Sequence, residues 1–295
     1  MKSARLGTRG PVILAVVLLT GALAYLYRDV FVELIRVWAS DDRFSHGFLI
    51  PPIAAYLVWE RRQRFSAVPA RLNVWGLLVI AGSVAILLVA SGGLFLRSLS
   101  LVGAVAGSVL FLCGWSRFRI VVFPLAVLLL MIPLPEPVVE RIEAPLQLAT
   151  SRVAEALIRF VGVPVFREGN FLALRNVTLE VAEECSGIRS LISLLTLGVV
   201  FGYVRDARGW MRVLLALLTI PVVVMWNGIR VAVTGVAAHN YGRGAAEGFV
   251  HDLCGWLAFA AAFATMFLLH RLLMLAVRAF PRGEALARNS FSIHQ

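Results

Sequence analysis

Three polar segments interrupt an otherwise apolar chain, and each carries one group able to take part in covalent chemistry. The first is Glu183-Glu184-Cys185-Ser186-Gly187-Ile188-Arg189-Ser190. The second is Trp226-Asn227-Gly228-Ile229-Arg230, and the third is Phe249-Val250-His251-Asp252-Leu253-Cys254-Gly255-Trp256. A thiol, a guanidinium and an imidazole together make a complete set for acyl transfer. The thiolate is the nucleophile; a helix N-terminus or a nearby cation favours it, while apolar burial and Glu183 and Glu184 oppose it. Arg230 keeps its charge and a planar fork of donors, which suits the oxyanion of a tetrahedral intermediate. His251 can act as base and then return a proton to a leaving amine. Asn227 or Asp252 can orient the imidazole and Ser186 adjoins the thiol; the residue types do not choose among them.

Plainer roles compete for the same residues. A cysteine in a spanning helix usually packs as a small apolar group, which is the reading for Cys113 and Cys254. A Cys185–Cys254 disulfide is permitted on an oxidising outer side. His251 and Cys254 have i, i+3 spacing, but no carboxylate–histidine cluster completes a metal site. No metal and no cofactor are therefore expected. His46 and His239 rank second, the latter as a loop residue.

The elements that must hold these groups are membrane helices. Of 295 residues, 60% are hydrophobic and 15% charged, and the mean hydropathy is +0.84. A soluble domain sits near half apolar and a quarter charged, so a soluble enzyme and a disordered tail are both excluded. About 20 apolar residues cross a bilayer. Eight runs qualify, near Pro11–Tyr27, Gly47–Glu60, Val74–Ala90, Ser98–Gly114, Ile120–Leu134, Cys185–Tyr203, Val213–Ile229 and Leu253–Leu272. The second and fifth are short.

The net charge of +11 would point to nucleic acid in a soluble protein, but its distribution follows topology. With the N-terminus inside, the inner segments hold 16 of the 28 basic residues against three acids, Glu60, Asp206 and Glu284. Every inner segment is positive, as the positive-inside rule requires, and all three reactive segments fall at the outer boundary. Residues 2–9, the apolar run after them and Ala22-Leu23-Ala24 also read as a cleavable leader; cleavage would leave seven spans.

The fold expected is thus an all-α polytopic membrane protein, one domain over residues 1–295, with a small outer cap at 135–184 between spans five and six. In that cap Val138, Val139, Ile142, Leu146, Ala149, Val153, Ala156, Leu157 and Phe160 recur at helical spacing. The pattern predicts an amphipathic helix on the outer membrane surface. Val163–Phe166 and Phe171–Val181, around Arg167-Glu168-Gly169-Asn170, read as a hairpin. Gly103/Gly107 and Gly244/Gly248 have the spacing of close helix packing.

The three segments resemble those of the exosortase/archaeosortase family. The matching stretches are Glu184-Cys185-Ser186-Gly187-Ile188-Arg189-Ser190, Asn227-Gly228-Ile229-Arg230-Val231, His251-Asp252 with Gly255-Trp256, and the early Ser45-His46-Gly47-Phe48-Leu49-Ile50-Pro51. The likeness covers about residues 40 to 275. It implies a bacterial inner-membrane cysteine protease or transpeptidase that processes C-terminal sorting signals of the PEP-CTERM kind: a Pro-Glu-Pro-like motif, a spanning helix and a basic tail. It implies catalytic roles for Cys185, Arg230 and His251, and a link to exopolysaccharide production. The histidine, where archaeosortases carry arginine, favours the bacterial branch.

On this reading Cys185 attacks the scissile carbonyl, Arg230 holds the oxyanion, and His251 protonates the leaving amine to give a thioester. Water or an acceptor nucleophile then resolves it. The partners expected are membrane-anchored substrate proteins and lipid, not nucleic acid. Arg230, Arg167 or Arg175 can attract the acidic residue of the signal. The alternatives are a transporter and a lipid-linked glycan polymerase or ligase, neither of which needs Cys185.

Overall fold

A computed structural model describes residues 9–90, 93–175, 177–181, 187–205, 209–242, 244 and 248–279. These divide into two compact units, Met1–Val139 and Glu140–Gln295.

The first unit is helical. It comprises α1 (Arg9–Leu26), α2 (Arg28–Ser40), a 3-10 segment (Asp42–Phe48), α3 (Ile50–Glu60), α4 (Arg62–Ala67), α5 (Trp75–Val89), α6 (Leu94–Val127) and a second 3-10 turn (Leu128–Met131). Helix α2 falls where the sequence reading leaves an outer loop. Arg28, Asp29, Glu33 and Arg36 mask its pattern, but Val30, Leu34 and Trp38 recur every fourth residue and are buried.

Helix α6 is interrupted at Gly114, whose φ of 77° lies outside the helical region. A Cβ there would stand 2.3 Å from the Arg71 carbonyl oxygen, so both the dihedral and the contact demand glycine. The break separates two sequence-predicted spans, Ser98–Gly114 and Ile120–Leu134. Before it, α6 packs on α5 by small residues: Gly107 meets the Gly76 carbonyl and Ile80, and Gly103 meets Ser83. The Gly103/Gly107 spacing therefore marks close packing as expected. Gly244/Gly248 does not: among the described residues neither glycine has a neighbour within 4 Å of its would-be Cβ, and Gly248 takes a φ of 62°, immediately before the last helix.

The second unit begins inside α7 (Glu136–Phe160). Strands β1 (Val165–Glu168), β2 (Phe171–Leu174) and β3 (Thr178–Glu180) follow, then α8 (Ile188–Arg205), α9 (Gly209–Tyr241) and α10 (Phe249–Ala279). The sheet is antiparallel in the order β1-β2-β3. The expected hairpin is thus a three-stranded meander, because the second predicted strand divides; the Leu174 N–H donates to the Val177 carbonyl across that turn.

The expected amphipathic helix forms as α7, with its stripe rotated. The residues buried are Val139, Glu143, Leu146, Thr150, Ser151, Ala154 and Ile158, while Phe160 is 86% exposed. Ala154 and Ile158 join Val165, Leu172, Leu174, Val177 and Val181 of the sheet region and Val231, Ala232 and Ala238 of α9 in one core. A second core ties α8, α9 and α10 through Leu194, Met211, Leu215, Val222, Val223, Ala262 and Met266.

Among the described residues three helices are long and apolar enough to cross a membrane: Leu94–Met131, Gly209–Tyr241 and Asp252–Val277. Val16–Leu26, Trp75–Val89 and Ile188–Tyr203 are shorter apolar helices. The predicted second span contains α3, whose 11 residues reach only about 16 Å.

Candidate active site

Helix α9 supplies the frame. Val223, Trp226, Asn227 and Arg230 follow the i, i+3, i+4, i+7 spacing that places them on one face. With Ser190 of α8 and Gly255, Ala258 and Ala262 of α10 they line an open cavity of about 230 Å³. All three sequence-predicted segments contribute to this wall or its edge.

Each segment carries a glycine at its contact with a neighbouring helix. Gly187 has a φ of 86°, and its would-be Cβ lies 3.2 Å from Asn227 Nδ2 and from Val223 Cγ1. The residue after Cys185-Ser186 is therefore pressed against α9 at Asn227 in a conformation that favours glycine. Its carbonyl accepts the Leu191 N–H and opens α8. Helix α8 thus starts at Ile188, three residues later than the predicted span. Gly228 allows α7 to approach: a Cβ there would lie 2.4 Å from Val153 Cγ1 and 2.7 Å from Val153 Cβ. At Gly255 a Cβ would be 3.5 Å from Arg230 Cζ, so the guanidinium lies against the α10 backbone.

The α9–α10 contact is also polar. Trp226 Nε1 donates to Thr265 Oγ1 at 2.9 Å, and that hydroxyl donates to the Ala261 carbonyl at 2.8 Å. Both groups are satisfied where an orphan would cost about 1–3 kcal/mol. The bond fixes the register between the helix carrying Arg230 and the helix carrying Gly255.

The sequence-predicted residues are distributed as follows. Arg230 and Asn227 line the cavity, and Asn227 is 5% exposed. His251 and Asp252 occupy the first turn of α10, with His251 one turn before Gly255. Cys185 and Ser186 lie outside the described residues. Cys113 and Cys254 are half-buried free thiols, and among the described residues no group of three potential ligands could hold a metal. His239 belongs to the last turn of α9, not to a loop. His46 Nε2 stands 3.0 Å from the Leu130 carbonyl. Arg167 of β1 is engaged with α7 and the turn after β1, donating to Glu155 at 2.8 Å and to the Gly169 carbonyl at 2.9 Å, whereas Arg175 is exposed.

Two buried titratable residues, Glu143 and His270, fall outside the sequence-based site candidates. Glu143 is 4% exposed on the inner face of α7; its signal is a position one turn after Val139 and three residues before Leu146. His270 is 7% exposed and sits edge-on to Phe201 in a second, apolar cavity with Leu194, Phe263, Met266 and Phe267. It lies inside the predicted span Leu253–Leu272, where the surrounding apolar residues mask it.

Over residues 38–268 the chain matches the family described as transmembrane exosortase. The chain belongs to the exosortase family. No curated protein and no solved structure matches it. This exosortase is a multi-pass membrane protein of a family of sorting-related proteases and transpeptidases. The match takes in Ser45-His46-Gly47 in the first unit and all three site segments in the second. The tight glycine contacts of the site, at Gly187 and Gly228, lie inside it.

Proposed function

We propose that this exosortase cleaves C-terminal sorting signals of the PEP-CTERM kind at the outer face of the bacterial inner membrane. Cys185 is the nucleophile. The observation that supports the reading is the convergence of Ser190, Asn227 with Arg230, and Gly255 on one cavity, with Gly187 packed against Asn227. Two peptide units separate Cys185 from Gly187, a reach of at most about 7 Å. Cys185 attacks the scissile carbonyl and gives up its proton to His251; Arg230 donates to the oxyanion. The intermediate collapses to a thioester as His251 delivers a proton to the leaving amine. An acceptor amine then completes transpeptidation, or water completes hydrolysis. Asn227 and Asp252 are positioning candidates, Asn227 for the chain at Gly187 and Asp252 for His251.

Eight crossings require counting the two arms of α6 separately, since 38 residues of Leu94–Met131 would span about 57 Å as a straight rod against a hydrocarbon core of about 30 Å, and counting α3 together with the 3-10 segment before it. With both termini inside, the site faces the periplasm. A substrate whose own helix lies in the bilayer then meets the thiol at the boundary. The biological setting is protein sorting coupled to exopolysaccharide production.

The test is co-expression with a tagged protein ending in a Pro-Glu-Pro-like motif, a spanning helix and a basic tail. Wild type should yield a shortened product, and Cys185→Ala none. Equal processing by Cys185→Ala would remove the thiol from the mechanism and return the glycan-transfer and transport alternatives.

A further inference from the structure

The first unit contains a carboxylate clamp outside the site described above. Arg43 forks onto Glu136, Nη1 to Oε1 at 2.9 Å and Nη2 to Oε2 at 3.2 Å. The reverse side of the same guanidinium is held by Asp41: Nε donates to both carboxylate oxygens at 3.1 Å and Nη2 donates at 2.8 Å. Asp41 also accepts the Arg43 backbone N–H at 2.9 Å. The fork is therefore preset in direction before any outer carboxylate binds.

The burial of the three side chains is uneven. Arg43 and Asp41 are 23% and 26% exposed, but Glu136 is 54% exposed. The inner pair is built into the fold; the outer carboxylate can leave into water at small cost. The residue filling the fork is the centre of Pro135-Glu136-Pro137. The chain before it is tethered separately, by Trp38 Nε1 to the Met131 carbonyl and by His46 Nε2 to the Leu130 carbonyl, both at 3.0 Å. Releasing Glu136 does not require releasing those bonds.

We propose that Arg43, backed by Asp41, is a binding subsite for a proline-flanked carboxylate of the substrate, and that Glu136 occupies it in cis until substrate exchanges for it. The ligand chemistry is read from the occupant. That the substrate supplies such a group rests on the sorting-signal reading above. On the topology proposed there, Asp41, Arg43 and Glu136 lie on the outer side, where the signal's polar motif emerges.

A cis occupant competes with substrate, so its removal should help binding. An ion pair of this exposure is closed over open by about one- to five-fold, and freeing the fork lowers the apparent KM by about two- to six-fold. Full-length protein in nanodiscs is assayed with two tagged signals, Pro-Glu-Pro and Pro-Gln-Pro. Glu136→Gln should lower KM for the first and leave the second unchanged; Arg43→Gln should abolish the difference between them. A raised or unchanged KM in Glu136→Gln would mean that the pair merely fastens α7, and would overturn the proposal.

Binding of the same two sequences as fluorescent peptides to Cys185→Ala protein needs no cleavage. Preference for Pro-Glu-Pro that disappears in Arg43→Gln supports the subsite. Equal binding of both peptides refutes it, whatever becomes of the catalytic assignment. If Glu136→Gln fails to fold, this second measurement decides alone.

Discussion

Gly228 stands in the middle of Asn227-Gly228-Ile229-Arg230, where a catalytic motif and a packing constraint overlap. The structure makes it a packing residue. An added Cβ would meet Val153 Cγ1 at 2.4 Å and Val153 Cβ at 2.7 Å, against ordinary carbon contacts of about 3.5–4.0 Å. Turning the valine side chain relieves only the first contact, because the second atom is fixed to the α7 backbone. Helix α7 must therefore back away by about 1 Å, opening the core that Ala154 and Ile158 share with Val231 and Ala232. Overpacking of this kind costs about 1–3 kcal/mol. Gly228→Ala should lower the melting temperature in detergent by several degrees and reduce processing, since Arg230 is two residues away on the same helix. Val153→Ala removes the Cγ1 contact and leaves the Cβ, so rescue is partial. The double variant should be more stable than the two single effects summed, by about 0.5–1 kcal/mol. A Gly228→Ala protein melting within about 1 °C of wild type, or a cycle with no coupling, would refute the close-approach argument.

Three further outcomes are expected. Thr265→Val leaves the Trp226 indole N–H without its acceptor and should cost about 1–3 kcal/mol, while Thr265→Ser keeps the oxygen and should stay within about 1 kcal/mol of wild type; equal melting temperatures for the two would show that the hydrogen bond does not set the α9–α10 register. Burial alone would raise the Asp41 carboxyl, but the Arg43 side chain, its backbone N–H and its charge outweigh that and hold it below the ordinary carboxylate value. Its folded pKa is depressed, so its stabilisation is present above about pH 4 and fades as the pH falls through the lower folded value; chemical denaturation across pH should show the wild-type advantage over Asp41→Asn shrinking only on the acid side, and a difference independent of pH would refute it. Arg175→Ala should leave melting unaltered, since Arg175 is exposed, whereas Arg167→Ala should lower the melting temperature by losing its Glu155 and Gly169 bonds; an Arg167→Ala protein as stable as wild type would show that those bonds do not hold β1 against α7.

Much of this was legible in residue types. Apolar runs mark a membrane protein, and the grouping of the second and third segments is seen where Asn227, Arg230 and Gly255 line one cavity. What the pattern misses has definite causes. Helix α2 hides behind four charged residues, since a half-buried helix of 13 residues needs only a narrow apolar stripe. The inner face of α7 includes Glu143, Thr150 and Ser151, so a search for apolar periodicity selects the neighbouring stripe and exposes Phe160 by mistake. The turn dividing β2 from β3 carries neither glycine nor proline, the usual punctuation.

The glycines show most plainly why a motif can be recognised before it is understood. In Ser45-His46-Gly47 the glycine is demanded by Trp38, whose Nε1 would stand 2.3 Å from a Cβ and which donates that same N–H to the Met131 carbonyl. In Cys185-Ser186-Gly187 it is demanded by a positive φ and by Asn227; in Asn227-Gly228 by Val153; at Gly114 by the Arg71 carbonyl. Not one of these partners is adjacent in sequence, so the requirement appears locally as an unexplained small residue. Each of these glycines holds its segment against a partner by the absence of a side chain, and that absence acquires meaning only when the partner is present. Substituting alanine at Gly187 or Gly228 should therefore disturb catalysis as well as stability, whereas Gly255→Ala, with 3.5 Å available to the Arg230 guanidinium, should be accepted.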